Sequence, residues 1–414
     1  MKIICLGGFR EVGKNAVLVE GKRNVLFDFG MEVETGTLPI FPNKVDAVVL
    51  GHAHLDHSGF VPTLYRRKMR PILYSTAATF DLAHLLLKDS IKIAKIRELP
   101  KRFDKFDIEK MKKREMRVTY GQKIDEDGFS LDIYDAGHIP GSASPLLEMD
   151  GKRILYVCDF NVNSTRLLKG ARINAKDVDV LIMETTYSNR EHSPRKETEK
   201  KFFEAVDGTI ANGGTAIIPS FAVGRSAEIL MVLDKFKPDF PIYLDGMAKT
   251  ASEITLKYPE LLRDHKAYEE AFKACTPIWT DKIRKKIVKE PCAIISSSGM
   301  LEGGPSVSYV KYLYDNIESS IIFTGFLIPE TAGRKLFDTG RFVTEGFDMK
   351  IKMNIQKFDF SAHSGRTDLF NFVEKINPSK VLCMHGDDCE GFAKELKEKG
   401  FDAIAPKNGN KLEV

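Results

Sequence analysis

The sequence predicts an α/β protein in which one α/β domain is interrupted by a second, doubly wound α/β domain. Short apolar runs alternate with longer helical stretches along the chain, and strands that repeatedly feed helices favour parallel pairing. Several apolar runs end on a polar residue, and histidines follow them both early, at His52, and late, at His385. Because both histidines must reach one site if they act together, the segment between them is predicted to loop out as an insertion.

The predicted elements follow in chain order, beginning with a first strand at the N-terminus. Further strand-like runs occupy residues 25–29, 45–50, 131–134, 154–158, 178–183, 215–220, 294–298 and 321–324. Helical patterns occupy residues 76–96, 108–116 and 197–211. The polar loop after Glu184 and the fresh strand at 215–220 mark the start of the insertion. The predicted domains are 1–188 and 346–414 for the two parts of the first domain, and 189–345 for the insertion.

Length and composition favour a large enzyme over a polycationic binding module. The chain has 414 residues, enough for two or three domains, and its 29% charged residues are mixed in sign with a net charge of only +4. The most basic stretch, 105–117, is interpreted as the solvated face of a helix rather than an RNA clamp. Six cysteines without a C-x-x-C pair indicate reduced core thiols. No signal peptide or membrane-length apolar run is recognised, so we expect a cytoplasmic protein without membrane contact.

The most informative motif is H-x-H-x-D-H, formed by His52, His54, Asp56 and His57 directly after the apolar run 45–50. Imidazole and carboxylate groups are the ligand types that suit Zn²⁺, and several must converge to hold one ion. His52, His54 and Asp56 alternate along the backbone whereas His57 breaks the register, so the motif can face two ways and serve two ions. A chance cluster is the alternative, but the chain holds only nine histidines.

Other polar residues with ligand chemistry stand at the ends of further predicted strands. His138 lies in D-A-G-H-I-P-G-S, Asp159 ends the run 154–159, His363 lies in F-S-A-H-S-G, and His385 ends the run 381–385. Each alone is more often an ordinary capped polar residue. In open α/β folds, however, ligands bind at strand ends, and together these residues predict one site.

These motifs, in this order, resemble the metallo-β-lactamase superfamily and, within it, the β-CASP nucleases, which include ribonuclease J and the endonuclease of mRNA 3′-end cleavage. Asp28 in V-L-F-D-F-G fits the first superfamily motif, and Glu184 in L-I-M-E-T-T-Y, His363 and His385 fit the β-CASP motifs. The resemblance implies an αββα sandwich with an inserted doubly wound β-CASP domain. It is strongest to archaeal relatives of the cleavage endonuclease, although we expect no KH domain here.

The resemblance also implies a site with two Zn²⁺ ions. One ion would be held by His52, His54 and His138, the other by Asp56, His57 and His385, with Asp159 bridging them. Asp28 would orient a metal-binding histidine, and Glu184 would do the same for His363 or His385. His363 would be the general acid that protonates the leaving ribose oxygen.

Loops rich in glycine and hydroxyl residues are predicted to contact RNA phosphates, because such loops let a phosphate approach backbone N–H groups. Ordinary turn chemistry is the alternative for each loop. The candidate residues are Arg225, Ser297, Ser298, Gly299, Arg334, Ser361 and Ser364.

The resemblance implies that the substrate is single-stranded RNA. The RNA would be cut from its 5′ end, internally, or in both ways, and 5′-to-3′ exonucleolytic cleavage is the favoured mode. The resemblance leaves room for a homodimer and for other RNA-processing or decay proteins as partners. Two other functions are weighed: a catalytically inactive scaffold, which would lose metal ligands, and a small-molecule metallohydrolase, against which Glu184, His363 and the long insertion count.

Overall fold

The computed structural model describes residues 1–32 and 36–414, and these divide into two units. The first unit comprises Met1–Ser164, Gly170–Glu191 and His363–Val414, and the second comprises Thr165–Lys169 and His192–Ala362. The second unit reaches beyond the predicted end of the insertion at 345. It does so because a strand that follows that position completes its sheet.

The N-terminal part of the first unit contains eleven named strands and four helices. The strands are β1 (Lys2–Gly7), β2 (Ala16–Glu20), β3 (Asn24–Phe27), β4 (Ala47–Val49), β5 (Ile72–Thr76), β6 (Glu115–Val118), β7 (Lys123–Glu126), β8 (Phe129–Asp135), β9 (Ala143–Met149), β10 (Lys152–Val157) and β11 (Val180–Glu184). The helices are α1 (Leu55–Ser58), α2 (Pro62–Arg66), α3 (Ala77–Ile96) and α4 (Lys105–Lys112).

The second unit alternates strands and helices. Its strands are β12 (Thr215–Pro219), β13 (Ile242–Asp245), β14 (Thr276–Ile278), β15 (Cys292–Ser296), β16 (Ser320–Phe323), β17 (Arg341–Thr344), β18 (Phe347–Lys350) and β19 (Asn354–Lys357). Its α-helices are α5 (Arg195–Ala211), α6 (Arg225–Lys235), α7 (Ala248–Thr255), α8 (His265–Ala274), α9 (Asp281–Ile287), α10 (Gly304–Leu313) and α11 (Ala332–Thr339), and a 3-10 helix covers Pro259–Leu261. The chain then completes the first unit with α12 (Arg366–Ile376), β20 (Lys380–Met384), α13 (Cys389–Glu398), β21 (Ala403–Ile404) and β22 (Lys411–Glu413).

Two seven-stranded sheets form the first unit, in the orders β22-β1-β2-β3-β4-β5-β6 and β21-β20-β11-β10-β9-β8-β7. One buried apolar cluster draws on both sheets, and the Phe27 and Tyr156 rings stack in it with centroids 4.9 Å apart. A second cluster joins the outer face of the β10, β11 and β20 sheet to α12 and α13. The two sheets therefore pack face to face, with helices covering an outer face.

A six-stranded parallel sheet forms the body of the second unit, in the order β14-β13-β15-β12-β16-β19. Successive residues of its central strands enter opposite cores: Ile217 and Ile294 belong to one buried cluster, and Ile218 and Ile295 to the other. Strands buried on both faces are typical of doubly wound sheets covered by helices on each side. The second unit is therefore doubly wound, as predicted.

The helix predicted over 108–116 is misplaced. It begins at Lys105 because Asp104 caps it, accepting hydrogen bonds from the backbone N–H groups of Phe106 and Asp107. It ends at Lys112, and Glu115–Val118 forms β6 beside β5 instead. Pairing with a neighbouring strand, which no local pattern reveals, overrides the helical pattern here.

Three cations of the basic stretch 105–117 are ion-paired at the surface. Lys110 lies 3.0 Å from the Asp107 carboxylate, Lys112 lies 2.9 Å from that of Glu109, and Arg117 lies 3.0 Å from that of Asp81. The pairs support the interpretation of this stretch as a solvated face. All six cysteines are buried thiols. Among the described residues, no helix combines the length and the apolar character that crossing a bilayer requires.

A buried carboxylate stabilises the second unit. Glu199 accepts hydrogen bonds from Arg166, with Nη2 at 2.7 Å, and from Lys235 at 3.0 Å, and Arg195 Nε lies 3.2 Å away. Burial alone would raise the pKa of Glu199, but hydrogen bonds from Arg166 and Lys235 and the nearby Arg195 charge lower it from 4.5 to about 2. Ionised Glu199 therefore stabilises the fold above pH 4.5, and this contribution is lost as the pH falls towards 2.

Glu199→Gln is expected to lower the free energy of unfolding at pH 7 by about 1–3 kcal/mol, because three cations lose their shared partner. The difference from the unsubstituted chain should shrink between pH 4.5 and about 2, where Glu199 becomes protonated in the unfolded and then in the folded chain. Urea unfolding at several pH values measures this. Glu204→Gln is the control on the same helix, since Glu204 is exposed and only 3.7 Å from Lys200. Equal effects of both substitutions at pH 7 would contradict the assignment.

Candidate metal centre

The first group of possible metal ligands lies in loops that follow β4, β8 and β10. His52, His54, His138 and Asp159 each offer one ligand atom within 4.8 Å of the others. Nδ1 of His54 lies 3.0 Å from Nε2 of His52 and 3.3 Å from Nε2 of His138. Oδ2 of Asp159 lies 3.6 Å from Nε2 of His52 and 3.5 Å from Nε2 of His138. Three imidazoles and a carboxylate therefore converge on one point.

The second group begins in α1, directly after the first two histidines. Asp56, His57, Asp159 and His385 again offer one ligand atom each within 4.8 Å. Nε2 of His57 lies 3.6 Å from Asp56 Oδ2 and 3.4 Å from Asp159 Oδ1, and Nε2 of His385 lies 3.9 Å and 3.2 Å from the same two oxygens. The helical turn at Leu55–Ser58 sends Asp56 and His57 to this group, while His52 and His54 remain in the first.

Asp159 belongs to both groups, with Oδ2 in the first and Oδ1 in the second. Burial alone would raise its pKa, but the imidazoles of His385, His57 and His363 outweigh burial and hold the pKa of Asp159 well below its usual range. Oδ1 is buried and makes no hydrogen bond to any residue that the structure describes. An ionised carboxylate with an oxygen in each group has the chemistry of a bridging ligand.

The donor sets fit ions of the zinc type. Bonds of about 2.0–2.2 Å from a tetrahedral ion place neighbouring ligand atoms about 3.3–3.6 Å apart. The pairs of ligand atoms described above are 3.0–3.6 Å apart in the first group and 3.2–3.9 Å apart in the second, and every pair within a group is closer than 4.8 Å. Burial holds the pKa of His52 well below its ordinary value and also lowers that of His54, so both are neutral, the form that binds metal.

Asp28 is placed to orient His57 rather than to bind an ion. It is fully buried after β3 and accepts hydrogen bonds from Nδ1 of His57, the hydroxyl of Tyr156 and the backbone N–H of Gly51, each at 2.7 Å. With its proton on Nδ1, His57 presents the Nε2 lone pair to the second group. Burial would lower the pKa of His57, but the carboxylates of Asp159, Asp56 and Asp28 hold it well above its ordinary value, so a metal ion would have to displace a proton from Nε2 when it binds.

A third group contains Glu184 and His363 beside Asp159. Nδ1 of His363 lies 2.9 Å from Oε1 of Glu184, and the same carboxylate accepts hydrogen bonds from the backbone N–H groups of Phe160 at 2.9 Å and Thr186 at 3.3 Å. Nε2 of His363 lies 3.9 Å from Asp159 Oδ2, and its side chain is 17% exposed against 4% for His138. Glu184 therefore contacts His363 rather than His385, the other histidine that the sequence left open. His363 is also more accessible to a substrate than His138.

The chain is similar to known proteins over its full length. The chain is 35% identical to "Probable RNase MJ4" of Methanocaldococcus jannaschii over the full length of both proteins. A metallo-beta-lactamase superfamily domain matches residues 18–186, a Beta-Casp domain matches 227–336, and a Zn-dependent metallo-hydrolase RNA specificity domain matches 348–406. The chain belongs to the β-CASP family of the metallo-β-lactamase superfamily. This confirms the resemblance and the fold predicted from the sequence, and the family implies a metal-binding site.

Other β-CASP relatives extend the comparison. The chain is 33% identical to "RNase aCSPSF2" of Saccharolobus solfataricus, with 99% of this chain and 84% of the relative covered. It is 36% identical to "Transcription termination factor FttA" of Pyrococcus abyssi, with 99% and 70% covered. A solved structure of a protein of unknown function from Enterococcus faecalis superposes with a TM-score of 0.62 over 99% of both chains at 15% identity, which shows the fold alone.

Asn15 contributes to the β-CASP site, although sequence reasoning missed it. Its side-chain amide nitrogen is fully buried, 2.9 Å from Nε2 of His57 and 2.9 Å from Nδ1 of His385. It thus contacts both histidines of the second group from one position. A single asparagine before β2 in E-V-G-K-N-A carries no motif, so only the folded structure identifies it.

The predicted phosphate-contact residues fall in both units. In the first unit, Ser364 is buried; its hydroxyl accepts from the backbone N–H of Val162 at 3.1 Å, and its own N–H donates to Phe160. These bonds hold the loop that carries His363. In the second unit, the N–H of Ser361 donates to Asp359 at 3.0 Å.

The remaining candidates lie in the second unit, all but Arg334 close to the carboxyl ends of its strands. Arg225 and Gly299 line one small cavity beside the ends of β12, β15 and β16, and Arg225 donates to the carbonyl of Thr324. Ser297 and Ser298 accept hydrogen bonds from nearby backbone N–H groups, at 3.1 Å in each case. Arg334 pairs with Asp338 at 2.6 Å on the surface of α11. Phosphate contact by these residues stays a prediction.

Asp28→Asn is expected to weaken metal binding by about 10- to 100-fold. The substitution replaces the carboxylate, which accepts three hydrogen bonds and orients His57, with an amide that has only one acceptor oxygen. Competition with a chelating dye measures this affinity. Tyr156→Phe removes one of the same hydrogen bonds without touching the His57 contact, so its effect on affinity should be smaller. An Asp28→Asn protein that binds metal as tightly as the unsubstituted chain would rule out the orienting role.

Proposed function

We propose that this protein is a zinc-dependent ribonuclease that hydrolyses phosphodiester bonds of single-stranded RNA. The observation that carries the proposal is the pair of four-ligand groups joined by Asp159, with His363 beside it. Three matched relatives bear ribonuclease or transcription-termination names, and a domain described by RNA specificity matches the C-terminal segment.

Two Zn²⁺ ions are the proposed cofactors. His52, His54 and His138 would hold one, and Asp56, His57 and His385 the other, with Asp159 between them. Zinc held by these residues would lower the pKa of a bound water towards about 7 and would neutralise charge on the phosphoryl oxygens. The residues of the chain then supply orientation and proton transfer.

His363 is proposed to donate a proton to the leaving ribose oxygen from Nε2. Glu184 accepts a hydrogen bond from the Nδ1–H of His363, so the other ring nitrogen, Nε2, faces away from Glu184 and can carry the proton that is donated. The backbone N–H groups of Phe160 and Thr186 fix the Glu184 carboxylate in turn. The imidazole is thereby held in one orientation before the substrate binds.

The two alternatives are disfavoured by the same residues. A scaffold has no need of ligands, yet each ligand position here carries a histidine or aspartate whose atoms converge. The hydrogen-bonded pair of Glu184 and His363 counts against a small-molecule hydrolase, which has no need of it. Two experiments separate the three functions. Elemental analysis of metal-replete protein should find about two zinc ions per chain, and an activity panel compares labelled RNA with small esters.

The proposed mode of cutting is 5′-to-3′ exonucleolytic, with internal cuts as a second activity. The test compares RNA bearing a 5′ monophosphate, RNA bearing a 5′ hydroxyl and circular RNA, with both ends of the linear substrates labelled. Release of mononucleotides that is favoured by a 5′ monophosphate, with circles resistant, supports the proposal. Efficient cutting of circles into discrete fragments excludes the exonucleolytic mode as the sole one.

A further inference from the structure

The second unit carries one large exposed aromatic side chain that the metal centre does not use. Trp279 is the single tryptophan of the chain and directly follows β14, the edge strand of the six-stranded sheet. Its side chain is 59% exposed. An indole left this far in water gains little from folding, and exposed aromatic residues of this kind are enriched where a partner covers them.

The indole is supported from one side by a buried cation. The ammonium of Lys249 lies 4.0 Å from the ring centroid of Trp279, and only 7% of the Lys249 side chain is exposed. Lys249 is itself fixed, because it donates to the carbonyl of Ile278 and lies 3.4 Å from the carboxylate of Asp245. One face of the ring is therefore covered by the protein, and its exposure comes from the rest of the indole.

Uncompensated positive charge follows Trp279 along α9. Arg284 is paired with Asp245 at 2.7 Å and Lys285 with Asp281 at 3.0 Å, so these two cations are neutralised. Three further lysines are exposed and form no ion pair with any residue that the structure describes: Lys282, Lys286 and Lys289. Lys282 and Lys286 are four residues apart and share one side of the helix.

A fixed aromatic face among uncompensated lysines suits a single-stranded polyanion with flat bases. Cores of protein–protein interfaces are depleted in lysine, whereas single-stranded nucleic acids are bound by aromatic rings that stack bases and by cations that follow the phosphates. We propose that Trp279, Lys282, Lys286 and Lys289 form a contact surface for single-stranded RNA, built from residues other than those of the metal centre. This inference rests on the proposed ribonuclease function, and it assigns part of the substrate contact to a surface without metal ligands.

Because Trp279 is the single tryptophan, its intrinsic fluorescence reports directly on this surface. The titration uses the His363→Ala protein, which should bind RNA and cut it only about 10²–10⁴-fold more slowly than the unsubstituted chain. Addition of an unstructured single-stranded RNA is expected to quench the fluorescence saturably. A duplex of the same sequence should quench it less, because paired bases are not free to stack. Unchanged tryptophan fluorescence at saturating RNA would overturn the proposal.

Variants test which property of the surface binds. Trp279→Leu keeps an apolar side chain over Lys249 but removes the stacking face, and RNA affinity measured by anisotropy should fall about 5- to 100-fold. Lys282→Ala combined with Lys286→Ala should reduce the slope of log affinity against log salt by about 1.4, since each lost phosphate contact on a single strand removes about 0.7. The matched control, Lys200→Ala with Lys266→Ala, removes two exposed charges from other helices of the same unit and should change the slope little.

The outcomes distinguish this inference from the proposed function. Each variant is also assayed with a nitrophenyl phosphodiester, whose unchanged cleavage would show that the metal centre is intact. If the unsubstituted chain cuts RNA while Trp279→Leu binds it normally, the surface is wrong and the ribonuclease function stands. If RNA quenches Trp279 but metal-replete protein cuts no RNA, the surface stands and the function fails. Loss of self-association in Trp279→Leu with unchanged RNA affinity would assign the surface to a protein contact and overturn the proposal.

Discussion

Asp159→Ala is expected to abolish RNA cleavage, with a loss of about 10⁴-fold or more, and to empty both metal positions. Asp159 contributes Oδ2 to one group of ligands and Oδ1 to the other, so a single substitution removes a ligand from each. It also leaves His57 and His385 without the carboxylate that lies 3.4 and 3.2 Å from them. Without bound metal nothing would lower the pKa of water, so hydroxide would be scarce at neutral pH.

Elemental analysis and a cleavage assay on the same preparation measure this effect. Asp125→Ala is the matched control, because Asp125 is an exposed carboxylate of the same unit, 3.8 Å from Lys123, and should leave both metal content and rate unchanged. Circular dichroism checks that Asp159→Ala is folded. An Asp159→Ala protein that keeps two metal ions, or more than a tenth of the rate, would contradict the bridging role.

His363→Ala is expected to slow RNA cleavage by about 10²–10⁴-fold while both metal ions stay bound. Nδ1 of His363 is held by Glu184 and Nε2 is 3.9 Å from Asp159, so the ring stands beside the ligand groups and its loss breaks neither of them. The substitution removes the imidazole that would donate a proton to the leaving ribose oxygen. Glu184→Gln should cause a smaller loss of rate, since it weakens only the orientation of the ring.

A change of leaving group separates acid catalysis from a structural effect. Nitrophenolate departs without protonation, so His363→Ala and the unsubstituted chain should cleave a nitrophenyl phosphodiester at similar rates, although their rates on RNA differ. Loss of metal from His363→Ala, or an equal loss of rate on both substrates, would show that His363 does not act as the general acid.

The ligand residues could be proposed from the sequence because they are histidines and aspartates at, or shortly after, the ends of apolar runs. The run before His52 reads as a buried strand, and so does the run before His385. A histidine or aspartate at the end of a predicted strand can be recognised from the neighbouring residues alone. The resemblance then supplied the grouping of these residues, which no local pattern contains.

Other parts were invisible because they depend on contacts between distant segments. Asn15 lies 2.9 Å from His385, which is 370 residues away, and no residue type or spacing marks that meeting. Residues 115 and 116, predicted as the end of a helix over 108–116, belong to a strand instead because the segment 115–118 pairs with β5. In both cases the deciding interaction is long-range, so a window of local sequence cannot report it.

By itself, the sequence determined the α/β class, the interruption of one domain by another, and the residue types available for metal binding and proton transfer. Those properties follow from hydrophobic periodicity and side-chain chemistry, which are local. Only the tertiary structure placed one oxygen of Asp159 in each ligand group, the Asp28 carboxylate 2.7 Å from Nδ1 of His57, and the Glu184 carboxylate 2.9 Å from Nδ1 of His363. These are distances between residues that are far apart in the sequence and lie mostly in loops that follow strands, and only the folded chain brings such atoms within hydrogen-bonding range.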